Sequence, residues 1–102
     1  MGHVMKKVIQ FSYKLDEAPA GVPVVDCRVI DNPHRKADTD EARMALVEKH
    51  QAFPVLVEAA VGVLEAHDSV AIGCTWGRHR SGAVAREVAR RTGAEIVKKY
   101  RI

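Results

Sequence analysis

With 102 residues, 47% of them hydrophobic and 28% charged, the chain is long enough to bury one core and too short for two, so we read residues 1–102 as one globular domain and exclude disorder. An aromatic share of 5% means a core built from Val, Ile, Leu and Ala. The net charge of +3 is unevenly spread: residues 76–102 hold eight basic and two acidic side chains, residues 1–75 eight and eleven. Such a surplus fits either a phosphate or nucleic-acid footprint or a solvated basic face.

"VIQFSYK" (8–14) is β-branched and aromatic and predicts a first strand, ended by the turn-rich "LDEAPAGVP". "VPVVDCRVI" (22–30) predicts a second, buried strand, leaving through "DNPHRKADTD", where Asp31, Asn32, Pro33 and Asp38 favour turns. From Thr39 to His50, the spacing of Ala42, Leu46 and the Ala45/Lys49 flank predicts a helix, with Asp38 as N-cap and Glu41 completing a capping box. Pro54 opens a second helix through His67, with Leu56, Ala60, Val63 and Leu64 as its stripe.

"SVAIGC" (69–74) is short and continuously apolar, as a strand covered on both faces would be. "SGAVAREVARRTG" (81–93) predicts a helix with Val84 and Val88 inward, Arg86, Arg90 and Arg91 outward and Gly93 as C-cap. "AEIVKKYRI" (94–102) closes as a fourth strand. Helices between strands imply crossovers, so the expected fold is α/β: a small, mostly parallel four-stranded sheet with three helices packed on it. Ligands in such sheets bind at the carboxyl ends of the strands.

"GCTWGRHRS" (73–81) falls at such an end, between the third strand and the last helix. The free N–H groups and positive dipole of a helix start stabilise an anion. Gly73 and Gly77 let backbone approach a ligand, Arg80 offers a two-pronged donor, Arg78 and His79 add charge, and Ser81 serves as cap and donor. We therefore expect an anion-binding loop for a phosphorylated or sulfate-like ligand. From the second loop, Arg28 and His34 add a guanidinium and an imidazole if they face the same mouth.

Cys74 and Arg80-Ser81 also spell C-x5-R-S, the spacing of cysteine-dependent phosphatases. There a thiolate lowered in pKa by the helix start and the arginine attacks phosphorus. That alternative makes Cys74 the nucleophile and Arg80 the phosphate clamp, with Asp26 or Asp31 as the acid; Gly73 stands where those enzymes have His. In the binding-module reading Cys74 lines the site without reacting and no residue is catalytic.

Cys27 and Cys74 lack C-x-x-C spacing, and His3, His50 and His67 lack ligand spacing, so we expect reduced thiols, no metal and no cofactor. "MGHVMKKVIQF" is not a secretory leader, Lys6 breaks a myristoylation motif, and "PVLVEAAVGVL" falls short of a membrane span. The expectation is a cytoplasmic protein that does not enter membranes.

"VAIGCTWGRHRSGAVA" resembles the G-C-T-G-G-x-H-R-S segment of the C-terminal domain of the RapZ family of bacterial RNase adapter proteins. "FSYK" and "VVDCRVIDNPH" resemble that family's F-x-[YF]-K and D-x-R-x-x-x-N-P-[HY]. The blocks keep their order between about residues 9 and 92. The resemblance implies an α/β domain that senses glucosamine-6-phosphate and presents RNA to an endoribonuclease. It places His34, Cys74, Thr75, Gly77, His79, Arg80 and Ser81 in the ligand pocket, with Arg28 in the D-x-R position.

Trp76 departs from the family's Gly, so either positive φ is not needed there or the pocket is altered, as by an indole stacked on a sugar or base. Residues 35–68 have no match, and no Walker loop is present, so the chain is expected to be a stand-alone version of the C-terminal module, without ATP binding. Analogy extends to a homodimer, which no apolar stripe marks. Lys98, Lys99 and Arg101, with Tyr100, fit RNA contact, or else lysines guarding an edge strand. A pure interaction subunit without ligand affinity is a third reading.

Overall fold

The computed structural model describes residues 5–99. Its strands are β1 (Lys7–Ser12), β2 (Val24–Asp26), β3 (Ser69–Cys74) and β4 (Glu95–Lys98); its helices are α1 (Asp40–Glu48), α2 (Phe53–Ala66) and α3 (Arg80–Thr92). The sheet order is β2-β3-β1-β4, and every pairing is parallel. The small α/β fold with three helices read from the sequence is therefore present, with a wholly parallel sheet.

The connections β2 to β3 and β3 to β4 advance across the sheet in the same direction, and right-handed crossovers then place their helices on one face. Accordingly α3 packs against both α1 and α2. The register Val8↔Val70 and Val25↔Ile72 aligns the inward side chains of three strands, which meet Val57, Ala60 and Leu64 of α2 and Val84, Ala85 and Val88 of α3. On the opposite face Phe11 lies over Gly73, its paired residue, where an added Cβ would come within 2.5 Å of the ring. The strand glycine exists to admit that ring.

Several boundaries differ from the sequence reading. The second strand stops at Asp26 because that carboxylate accepts from Arg28 N at 2.9 Å and starts a 3-10 turn over Cys27–Val29. Thr39, not Asp38, caps α1, its hydroxyl accepting from Ala42 N at 3.1 Å. The inward face of α1 carries Val47 and Met44, packed with Ile30 and Ala83, whereas Ala42 and Leu46 are exposed. α2 starts one residue early with Pro54 in its first turn, and its buried stripe is Val57, Ala60 and Leu64, with Leu56 and Val63 half-buried. β4 ends at Lys98; Tyr100 and Arg101 lie outside the described residues, as does His3. Gly93 ends α3 with φ 76°, as its position suggested.

Candidate functional site

β1 holds the loop after β3 by its carbonyls. Tyr13 N donates to Cys74 O at 3.0 Å, Lys14 N and Ser12 Oγ to Thr75 O at 3.0 and 2.7 Å, and Gln10 Nε2 to Gly77 O at 2.7 Å. In a trans peptide the following N–H points opposite to the carbonyl, so those of Thr75, Trp76 and Arg78 are turned away from β1. Gly77 supplies the bend: its φ is 75°, and an added Cβ would lie 3.0 Å from Phe11 backbone atoms. Among the described residues positive φ occurs only at glycines. Trp76 therefore takes an ordinary backbone conformation, and the loop tolerates a side chain where the resembled family has Gly.

Beside this loop lies a cleft of about 490 Å³. Cys74, Trp76, Arg78, His79 and Arg80 come from the β3–α3 connection, Asn32 and His34 from the loop after β2, Arg43 from α1 and Leu15 from the loop after β1. The sequence reading named six of these: His34, Cys74, Trp76, Arg78, His79 and Arg80. Asn32 was noted only for its turn, and Arg43 and Leu15 were missed. Four cationic or imidazole groups besides His34 therefore share one depression at the carboxyl ends of the strands.

Arg80 is 7% exposed and donates from Nη1 to Ile30 O at 3.1 Å, tying α3 to the end of the turn after β2. Asp40, in the first turn of α1, holds three other groups. Its Oδ1 is 2.7 Å from His79 Nε2 and 3.5 Å from Arg43 Nη1, and its Oδ2 is 3.5 Å from Arg78 Nη2. The His79 hydrogen bond, followed by the nearby positive charges, holds the Asp40 carboxyl below the usual carboxylate range. No local sequence signal marked Asp40 as part of the site, because two of its three partners, Arg78 and His79, lie 38 and 39 positions away.

The remaining predicted site residues stand elsewhere. Ser81 does not cap α3: His79 holds the N-cap position with no side-chain bond to the helix's N–H groups, and buried Ser81 places Oγ 3.2 Å and N 3.4 Å from Cys74 Sγ. Gly73, Thr75 and Gly77 shape the loop from behind. Arg28 is committed to a bidentate pair with Asp26, at 2.7 and 3.0 Å, and to the Tyr13 ring, whose centroid is 3.7 Å from Cζ. Burial, and then Asp26, raise the Tyr13 phenol above its ordinary pKa.

Neither acid named for a phosphatase lines the cleft. The Arg28 hydrogen bond holds Asp26 below the usual carboxylate range, so it does not store a proton at neutral pH, and Asp31 pairs with Lys36 at 3.9 Å. Burial pushes the Cys27 thiol up, the neighbouring Cys74 adding to the effect. Both cysteines are free and buried.

Part of the C-terminal charge surplus is answered by ion pairs, two of the three arginines meeting acids from other helices. Arg86 pairs with Glu41 and Glu48 at 3.5 and 3.3 Å, Arg90 with Glu87 at 2.6 Å and Arg91 with Glu58 at 2.5 Å. Lys98 and Lys99 remain exposed on and after β4. No helix among the described residues is long and apolar enough to cross a membrane.

These features define a small parallel α/β domain with one-sided helices and a basic cleft at the carboxyl ends of its strands. The chain is similar to three proteins each named "Nucleotide-binding protein". It is 31% identical to that of Jannaschia sp. (strain CCS1) over 93% of its own length, and 33% identical to that of Rubrobacter xylanophilus over 91%. It is 35% identical to that of Nocardioides sp. over 84%. The chain spans only 36%, 36% and 34% of these relatives. No protein-family model matches it.

Proposed function

We propose that the chain is a RapZ C-terminal-type binding module that recognises a phosphorylated metabolite, an amino-sugar phosphate such as glucosamine-6-phosphate, in the cleft between the β3–α3 loop and the loop after β2. The observation that carries this reading is the convergence of Arg43, Arg78, His79 and Arg80 on one cleft at the carboxyl ends of the strands. A guanidinium fork and an imidazole match the oxygens of a phosphate monoester, and the backbone N–H groups of a loop entering a helix add to them. The relatives' shared name fits a phosphate-bearing ligand. Its nucleotide belongs to proteins about three times as long, and no Walker loop is present here.

The same reading makes the protein a cytoplasmic adapter that contacts RNA through Lys98, Lys99 and Arg101 and works as a homodimer. The exposure of Lys98 and Lys99 supports that placement of an RNA contact. The phosphatase alternative has less support, because its two candidate acids lie outside the cleft.

The test is calorimetric titration with glucosamine-6-phosphate, glucosamine and inorganic phosphate, with phosphate release followed in the same samples. Binding of the phosphosugar without release supports a sensor. Release that disappears in Cys74→Ser makes the protein an enzyme, and no binding of any of the three removes the reading.

A further inference from the structure

The cleft has an apolar wall that an anion does not use. Trp76, the chain's single tryptophan, is 48% exposed there, and Leu15 beside it is 52% exposed. Neither side chain is left out by accident of a loose loop. Lys14 N donates to Thr75 O, and Leu15 N to Ser12 Oγ at 3.0 Å, so the turn after β1 is fastened to the β3–α3 loop and carries both side chains on one rim. The Lys14 ammonium stands 5.4 Å from the indole centroid, adding positive charge at the same edge. Because Trp76 has no positive φ to satisfy, its ring is held without backbone strain.

Large apolar side chains left in water at the mouth of a polar cleft gain free energy when a ligand covers them. We propose that Trp76, with Leu15, is the specificity-determining wall of the site: it stacks the flat face of a ring whose phosphate monoester is held by Arg80, Arg78 and His79. The ligand class is a ring-bearing phosphate monoester, in which a pyranose and a nucleobase present the same kind of face to an indole. This inference rests on the phosphate reading of the cleft and adds what the ester must carry.

Since Trp76 is the chain's one tryptophan, its fluorescence reports the contact directly. Inorganic phosphate, glycerol-3-phosphate, glucosamine-6-phosphate and adenosine monophosphate are titrated by fluorescence and calorimetry into the protein, and by calorimetry alone into the Trp76→Ala and Trp76→Phe variants, which have no tryptophan. The expected result is that a ring-bearing monoester binds about tenfold tighter than glycerol-3-phosphate, the size of one stacked ring, and perturbs the emission. Trp76→Ala removes that margin, Trp76→Phe keeps most of it, and inorganic phosphate binds all three proteins alike. Whichever of the sugar and adenosine esters binds tighter identifies the ring. If phosphate binds but the margin is absent, or survives in Trp76→Ala, the stacking wall is overturned while the anion site stands. If neither phosphate nor any monoester binds the unsubstituted protein, both readings fall.

Discussion

Asp40 Oδ1 lies 2.7 Å from His79 Nε2, joining the first turn of α1 to the N-cap of α3. The same carboxylate reaches Arg43 and Arg78, so one internal anion is shared by three groups that line the cleft. A ligand phosphate then competes with Asp40 for them. We expect Asp40→Asn to bind inorganic phosphate more tightly at low salt, with the gain shrinking as salt screens the charges. Calorimetry at two ionic strengths checks this, and weaker binding would mean that Asp40 orients His79 rather than competing for it.

The acid limb of stability follows from Asp26 and Asp40. Arg28 lowers the first and His79 the second below the usual carboxylate range. A carboxyl with a lowered folded-state pKa contributes stability that is present above its unfolded value and lost as pH falls through the folded one, here below about pH 4. Both groups are solvent-exposed, so the effect is small. Urea unfolding between pH 2 and 6 should show a shallower acid loss in Asp26→Asn and Asp40→Asn than in the parent chain; parallel curves would show that the pairs add nothing.

Arg80 serves the fold as well as the cleft. Removing its guanidinium leaves the Ile30 carbonyl without its buried donor, which costs about 1–3 kcal/mol. Arg80→Met should show that loss in chemical denaturation and lose phosphate binding. Arg80→Lys should retain weaker binding, since it keeps the charge without the fork. Unchanged stability in Arg80→Met would mean that Ile30 finds another donor.

Gly73 and Gly77 are demanded by Phe11. A Cβ at Gly73 would come within 2.5 Å of its fully buried ring, and Gly77→Ala adds a positive φ to contacts of 3.0 Å with Phe11 backbone atoms. Each alanine variant should lose roughly 1–3 kcal/mol. Trp76→Gly, at an exposed side chain, should stay within about 1 kcal/mol of the parent, and denaturation midpoints decide between the three.

Burial pushes the Cys27 thiol up and denies it solvent. A thiol reagent at neutral pH should therefore modify Cys27 only on unfolding, as read by mass spectrometry of peptides from native and urea-treated protein. Fast labelling in the native state would show that the end of β2 opens.

The alternation of apolar runs with helical spacing was enough to yield the α/β order, the inward Val84 and Val88, and Gly93 at the end of α3, because each depends on neighbours within a turn or two. The β3–α3 loop was legible for the same reason: glycines, basic residues and a helix start lie within nine positions. The face of α1 was not. Ala42 and Leu46 have suitable spacing, but Met44 and Val47 are the residues that meet Ile30 and Ala83. Helical period specifies a stripe only when the polar residues leave no second choice, and here they leave one.

By itself the sequence determined the order and type of the strands and helices and which loop concentrates positive charge, since propensity, periodicity and local composition act over short stretches of chain. Only the tertiary structure decided what that charge meets. Sheet order brings α1 to the start of α3, so Asp40 and Arg43 join a site that no spacing links to them. Helix packing sets Glu41, Glu48 and Glu58 against Arg86 and Arg91, turning an apparent basic face into paired surface. Electrostatic partners are fixed by distance in space, and distance between segments far apart in the chain is settled only when the core closes.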